Sequence, residues 1–284
     1  MKWRYKSLIV FGLGLFLAIV LFTQMGLYLY HHILGTFIHF NVFQLCISLF
    51  SGNTLLYHIV LFLVNSFVAW TFIMVCIKIM RQILFFSKLK IRLKRKLNRT
   101  ETKKINRLFN RSKEDIYVIQ HGEPIAYTVG FLEPIIVIST NLIELLDKTE
   151  LEAVIHHESA HQKYNDPLKV FILQLISEVM WYIPLTKWCY ENYKIMVELV
   201  ADEYAVNRMG SQVGLGSALL KLLKTCIHNR SSAPVLVPFS DGTVNFRIKQ
   251  LLEPEFSIPV KCPLISIIVS INMIVFLMLL MIML

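Results

Sequence analysis

The stretch Leu151-Glu152-Ala153-Val154-Ile155-His156-His157-Glu158-Ser159-Ala160-His161 decides how the chain is read. On a helix, His157 and His161 lie one turn apart and point the same way, so both imidazoles can bind one Zn²⁺. Glu158 then sits beside them as general base for the attacking water. A second pair supports the first: in Glu198-Leu199-Val200-Ala201-Asp202 two carboxylates are again one helical turn apart. Glu198 is the expected third zinc ligand, and Asp202 the acceptor that orients His157 through its ring N–H. This predicts one Zn²⁺ per chain and a zinc hydrolase. The bland alternative is an exposed polar helix with two satisfied histidines. A donor for the oxyanion is also needed; Tyr204, Arg208, Arg247 and His156 are candidates among which spacing does not choose.

Around this motif the apolar residues, 55% of the chain, come in long blocks. Residues 8–30 and 262–284 are each uncharged for 23 residues. As helix that is about 34 Å, enough to cross a bilayer. Residues 54–77 repeat the pattern, with His58 and Asn65 as the strongly polar members. The first block is too long for a secretory signal and has no small-residue cleavage site after it, so a retained anchor is expected.

Charge predicts the orientation. Of 29 Lys and Arg, 14 fall in residues 78–113 against one acid, Glu101, so that segment carries +13 of a formal net +10, while residues 114–261 carry −6. Cationic loops stay cytoplasmic, which places the amino terminus and residues 78–261 on the inner side of the membrane. Residues 31–53 carry no charge and face out, apolar enough to lie along the outer surface. The basic block is expected to meet membrane lipids rather than nucleic acid directly. The cysteines (Cys46, Cys76, Cys189, Cys226, Cys262) are odd in number and lack a C-x-x-C pair, so they read as small buried hydrophobes.

The expected organisation is two spans with a short outer loop (1–77), a basic juxtamembrane segment (78–113), a protease domain (114–261) and a third span (262–284). Within the domain, residues 115–120 and 134–139 predict short strands. Pro124 to Gly130 between them reads as strand or loop. Its core, Ile125, Ala126, Tyr127, Thr128 and Val129, is the candidate edge strand for an extended substrate; a simple buried strand fits the sequence equally well. Asp147 and Glu150 have capping-box spacing ahead of the motif helix, and Asn165-Asp166-Pro167 should end it. Residues 168–183 predict a helix half sunk in the inner leaflet or packed beneath it. Helices are expected over 188–209, 215–227 and 246–252, with a loop at 228–242.

The order of these parts resembles the BlaR/MecR family of membrane zinc metallopeptidases. The carrying residues are the 130–140 strand region, Leu151 to His161 with Asp166-Pro167, Glu198-x-x-x-Asp202-Glu203, and Arg247-Ile-Lys-Gln-Leu-Leu252. The resemblance covers about residues 78–284. It implies a mainly α membrane protein, with transmembrane helices plus a cytoplasmic α+β zincin-like, gluzincin-type metalloprotease domain. It also implies that a signal triggers proteolysis of a cytoplasmic BlaI/MecI-like DNA-binding repressor. Family members often have Cys where this chain has Ala201. The best-known members continue into an extracellular penicillin-binding sensor, whereas this chain stops at Leu284 and has one amino-terminal span fewer. The signal is then expected to enter through the membrane part or a separate sensor protein, and a homo-oligomer is a further expected partnership. The competing readings are a housekeeping protease resembling the HtpX/CAAX-prenyl-protease group, and a non-catalytic adaptor stabilised by zinc.

Overall fold

A computed structural model describes residues 2–34, 54–228, 243–253 and 264–272. The described chain is mostly helical with one small sheet. Two helices are long and apolar enough to cross a membrane: α1 (Lys2–Leu34), through Trp3–Tyr30, and α2 (Thr54–Lys96), through Tyr57–Lys96. The outer segment expected at 31–53 lies almost wholly outside the described residues, as do the loop at 229–242 and most of the last apolar block, of which 264–272 is helical. Within the basic stretch, residues 78–96 complete α2, whose last turn is Lys94, Arg95 and Lys96, and α3 (Arg99–Leu108) follows.

The chain forms two compact units. The described residues of the first lie within Met1–Leu8, Leu84–Phe171 and Asn192–Pro259. Its sheet has β1 (Ile116–Ile119), β2 (Ala126–Val129) and β3 (Ile135–Ser139) in the order β1-β3-β2, with β1 parallel and β2 antiparallel to β3. So the ambiguous Pro124 to Gly130 stretch contains a strand, and β2 is an edge strand. Both sheet faces are covered. Ile116, Val118, Ile136 and Ile138 pack with Leu151, Val154 and Ile155, while Val137 and Ile119 pack with Leu93 of α2. Burial on both sides is why Ile135–Ser139 reads as a continuous apolar run instead of alternating.

A short helix, α4 (Thr140–Leu145), leads to the motif helix α5 (Lys148–Tyr164). Asp147 accepts from the Glu150 N–H at 2.8 Å and the Glu150 side chain accepts from the Asp147 N–H at 2.9 Å, the reciprocal bonds expected of a capping box. Ser217 and Lys221 of α8 (Val213–His228) also bond Glu150, tying the start of α5 to that helix. Asn165 ends α5 in the left-handed region at φ 52°, a conformation Asn tolerates and most side chains avoid. The chain turns there into α6 (Asp166–Val179), with Pro167 in the first turn where its missing N–H costs nothing. α7 (Pro184–Met209) and α9 (Thr243–Leu252) complete the fold.

The second unit has its described residues within Ile9–Ile83, Ile172–Glu191 and Val260–Leu284. There Tyr28 of α1 donates to Asn65 of α2 at 2.7 Å, over a cluster of Met25, Tyr28 and Val68. Gly14 lets α1 approach closely, since a Cβ there would lie 2.6 Å from Leu173 Cδ2. Lys78 pairs with Glu178. Cys76 is exposed and Cys189 buried, neither in a disulfide.

Candidate metal centre

α5 and α7 bring His157, His161 and Glu198 together, with their candidate ligand atoms all within 4.8 Å of one another. The two Nε2 atoms are 3.2 Å apart. Glu198 Oε2 lies 3.4 Å from His157 Nε2, and Oε1 3.7 Å from His161 Nε2. Ligand atoms about 2.0–2.1 Å from a common tetrahedral ion are separated by about 3.3 Å, so the triangle has the size of a zinc site.

The ring tautomers fit as well. Asp202 Oδ1 is 2.8 Å from His157 Nδ1, and Asp166 Oδ2 is 3.0 Å from His161 Nδ1. Each carboxylate accepts from the Nδ1–H it faces, which leaves the Nε2 lone pairs directed at the shared centre. Lone pairs at that separation repel unless a cation or proton lies between them. The electrostatics favour a cation. Burial lowers the His161 pKa, but the Asp166 hydrogen bond and the charges of Glu198, Asp166 and Glu158 outweigh it and raise the imidazole to about 9. His157 is also raised: Asp202 and Glu198 overcome burial and Arg247. Burial would raise Glu198 and Asp202, yet Arg247 and the histidines hold both below the usual carboxylate range.

Arg247, from α9, is the buried cation of the centre. Its Nε and Nη2 donate to the two oxygens of Asp202 at 2.8 and 2.7 Å, and its Nη1 lies 3.1 Å from Glu198 Oε2. The guanidinium is therefore engaged by the two carboxylates of α7. Tyr204 and Arg208 are engaged elsewhere: Lys163 and Arg208 lie over the Tyr204 ring, which meets Tyr164 edge-on. His156 faces Glu152.

Glu158 is buried beside its histidine neighbours. The Thr128 hydroxyl lies 2.7 Å from its Oε2 and 3.0 Å from its carbonyl oxygen, so β2 touches the candidate base directly. Ile125 accepts the Ser139 N–H at 3.0 Å. With Ile125 opposite Ser139, alternation along the antiparallel ladder directs Tyr127 and Val129 at β3, and the backbone groups of Ala126 and Thr128 at the free edge.

Two contributors were invisible to sequence reasoning in this role. Asp166 read as a helix terminator and, with Pro167, as part of the family resemblance, yet it is buried and meets His161. Tyr193, nearly inaccessible on α7, bonds Asp166 through its phenol, and burial together with that carboxylate pushes its pKa up. The available signal was a carboxylate five residues after His161, just past a residue suited to a left-handed turn.

Comparison with known proteins agrees with this geometry. Over 58 residues, 20% of this chain, the sequence is 45% identical to the plastoglobule-localized metallopeptidase 48, chloroplastic, of Arabidopsis thaliana; the match spans only 17% of that protein. The family model described as BlaR1 peptidase M56 matches residues 48–251, which include His157, Glu158, His161, Glu198, Asp202 and Arg247, and the chain belongs to that peptidase family.

Proposed function

We propose that this protein is a membrane-anchored zinc metalloendopeptidase of signal-transduction type, acting on a cytoplasmic BlaI/MecI-like repressor. The observation that carries the chemistry is the convergence of two Nδ1-bonded histidines and Glu198 next to Glu158. When bound, the zinc ion supplies Lewis-acid polarisation of the scissile carbonyl and acidifies water. Glu158 accepts the proton of the attacking water and returns it to the leaving nitrogen. Thr128 holds the Glu158 carboxylate in place. Asp202 and Asp166 keep both imidazoles in the ligating tautomer. Arg247 holds Glu198 and Asp202 at fixed separation. The free edge of β2, through the amide and carbonyl groups of Ala126 and Thr128, pairs with an extended peptide.

The membrane part follows from charge: three spans, with residues 78–261 inside, the +13 segment meeting anionic lipid, and a ligand or separate sensor acting through the spans. The short likeness to an organellar metallopeptidase favours, as second reading, a housekeeping protease with no repressor. Comparing proteomes of a wild-type and a Glu158→Gln strain distinguishes them. A repressor whose fragments vanish in the variant supports the first reading, and an accumulation of membrane proteins alone supports the second. Identical proteomes, with both purified proteins zinc-loaded, would overturn both.

A further inference from the structure

The hairpin joining β2 to β3 ends in an apolar tip that its own unit leaves bare. Gly130 turns the chain at φ 117°, where a Cβ would lie 2.9 Å from the Glu133 carbonyl oxygen. The turn leaves Leu132 89% exposed. Phe131 folds back instead, meeting Phe86 of α2 edge-on at 4.5 Å and stacking on Phe171 at 5.0 Å. The same stretch of α2 exposes Leu84, Phe85 and Ile91, interleaved with exposed Lys88, Lys90 and Arg92.

The direction of α2 says which end of the sheet this tip occupies. Phe86 meets the hairpin tip, whereas Leu97, just past the helix end and some 16 Å farther along, bridges to Ile119 of β1. The apolar run 54–77 precedes Phe86 in one unbroken helix. The Phe131–Leu132 tip is therefore at the end of the sheet that α2 reaches first. Apolar side chains alternating with Lys and Arg suit a lipid boundary, where long cationic stems cover hydrocarbon and their heads reach phosphate. Residues 84–100 contain no acid, so this stretch of α2 complements an anionic layer, with the exposed Glu133 of the tip as the acid beside it.

We propose that the Phe131–Leu132 tip, together with Leu84 and Phe85, rests in the headgroup–acyl boundary of an anionic bilayer, so that the edge strand β2 leads directly to the lipid surface. This rests on the reading of α2 as a span. The test uses the full-length protein with its five native cysteines replaced, carrying an environment-sensitive fluorophore at Leu132→Cys, in vesicles of phosphatidylcholine and phosphatidylglycerol. Lipid bearing a nitroxide near the top of the acyl chain should quench this label at least twofold, and aqueous iodide should quench it less than a label at Lys103→Cys. Phe62→Cys, within the apolar run of α2, is the reference for spanning. A Leu132 label open to iodide and insensitive to the nitroxide lipid, with Phe62→Cys quenched, overturns the proposal and leaves the span intact. No lipid quenching at either position overturns the spanning reading and the proposal together. Shielding of Leu132 from both quenchers overturns it too, in favour of a second copy if dilution in lipid relieves the shielding and of protein cover if it does not. Glu133→Cys provides the same readout should Leu132→Cys fail to fold.

Discussion

Replacing Asp166 by alanine should weaken zinc binding at modest cost to stability, whereas replacing Asp202 should damage both. The two carboxylates play similar parts toward His161 and His157, at 3.0 and 2.8 Å, but their other partners differ. Behind Asp166 stands the neutral phenol of Tyr193; behind Asp202 stands the guanidinium of Arg247, 7% exposed and bound through two nitrogens. Losing a carboxylate that orients a liganding histidine typically lowers metal affinity ~10–100-fold, or about 1.4–2.8 kcal/mol. Asp166→Ala adds to this a phenol without its acceptor, about 1–3 kcal/mol of stability. Asp202→Ala instead removes both bonds that the buried Arg247 makes to that carboxylate and leaves it Glu198 at 3.1 Å; breaking a buried pair outright costs about 3–5 kcal/mol, the upper bound here. Zinc affinity by competition against a chromogenic chelator, with thermal melts of the metal-free proteins, separates the two effects. Asp166→Asn, whose amide oxygen still accepts from His161, should lose less than about tenfold. Wild-type zinc affinity in Asp166→Ala would refute the role given to Asp166, and equal destabilisation by the two alanines would refute the asymmetry.

Glu158→Gln should retain its zinc by metal analysis and slow peptide hydrolysis about 10²–10⁴-fold, since the amide cannot take the proton. Thr128→Val should lower kcat by roughly the worth of one hydrogen bond, about 1 kcal/mol, with KM and zinc content unchanged and Thr128→Ser restoring the rate; zinc loss in the valine variant would make Thr128 structural instead. Burial alone would raise the Glu150 pKa, but bonds from Lys221, Ser217 and the Asp147 N–H bring it below the usual value. A depressed carboxylate stabilises the fold fully above its unfolded pKa of about 4.3 and loses that contribution as pH falls through the lower folded value. Thermal melts from pH 6 to pH 3 should therefore show an acid-side loss that Glu150→Gln diminishes; an unchanged profile would remove Glu150 from the account.

The metal centre was legible wherever its residues are neighbours on one helix. His157 and His161, and likewise Glu198 and Asp202, are one turn apart, and helical geometry alone puts each pair on one face. The capping box at Asp147 and Glu150 was equally local. What spacing could not supply was convergence. Arg247 comes from α9, forty-five residues beyond Asp202, and its choice between binding an oxyanion and binding two carboxylates depends on where that helix docks. Asp166 was visible as a helix stop and in the family resemblance but not as the partner of His161, because its direction is set by the left-handed turn at Asn165 and by the Tyr193 phenol on another helix. The stretch around Ala126–Val129 was ambiguous for a related reason: four residues hold a strand conformation only when a partner ladder and two covered faces stabilise them, and β3, α5 and the end of α2 all lie outside that window. Local periodicity thus determined the elements and the ligand pairs, while long-range packing decided which side chains support them, since burial and hydrogen-bond partnership are properties of the assembled core and not of any one segment.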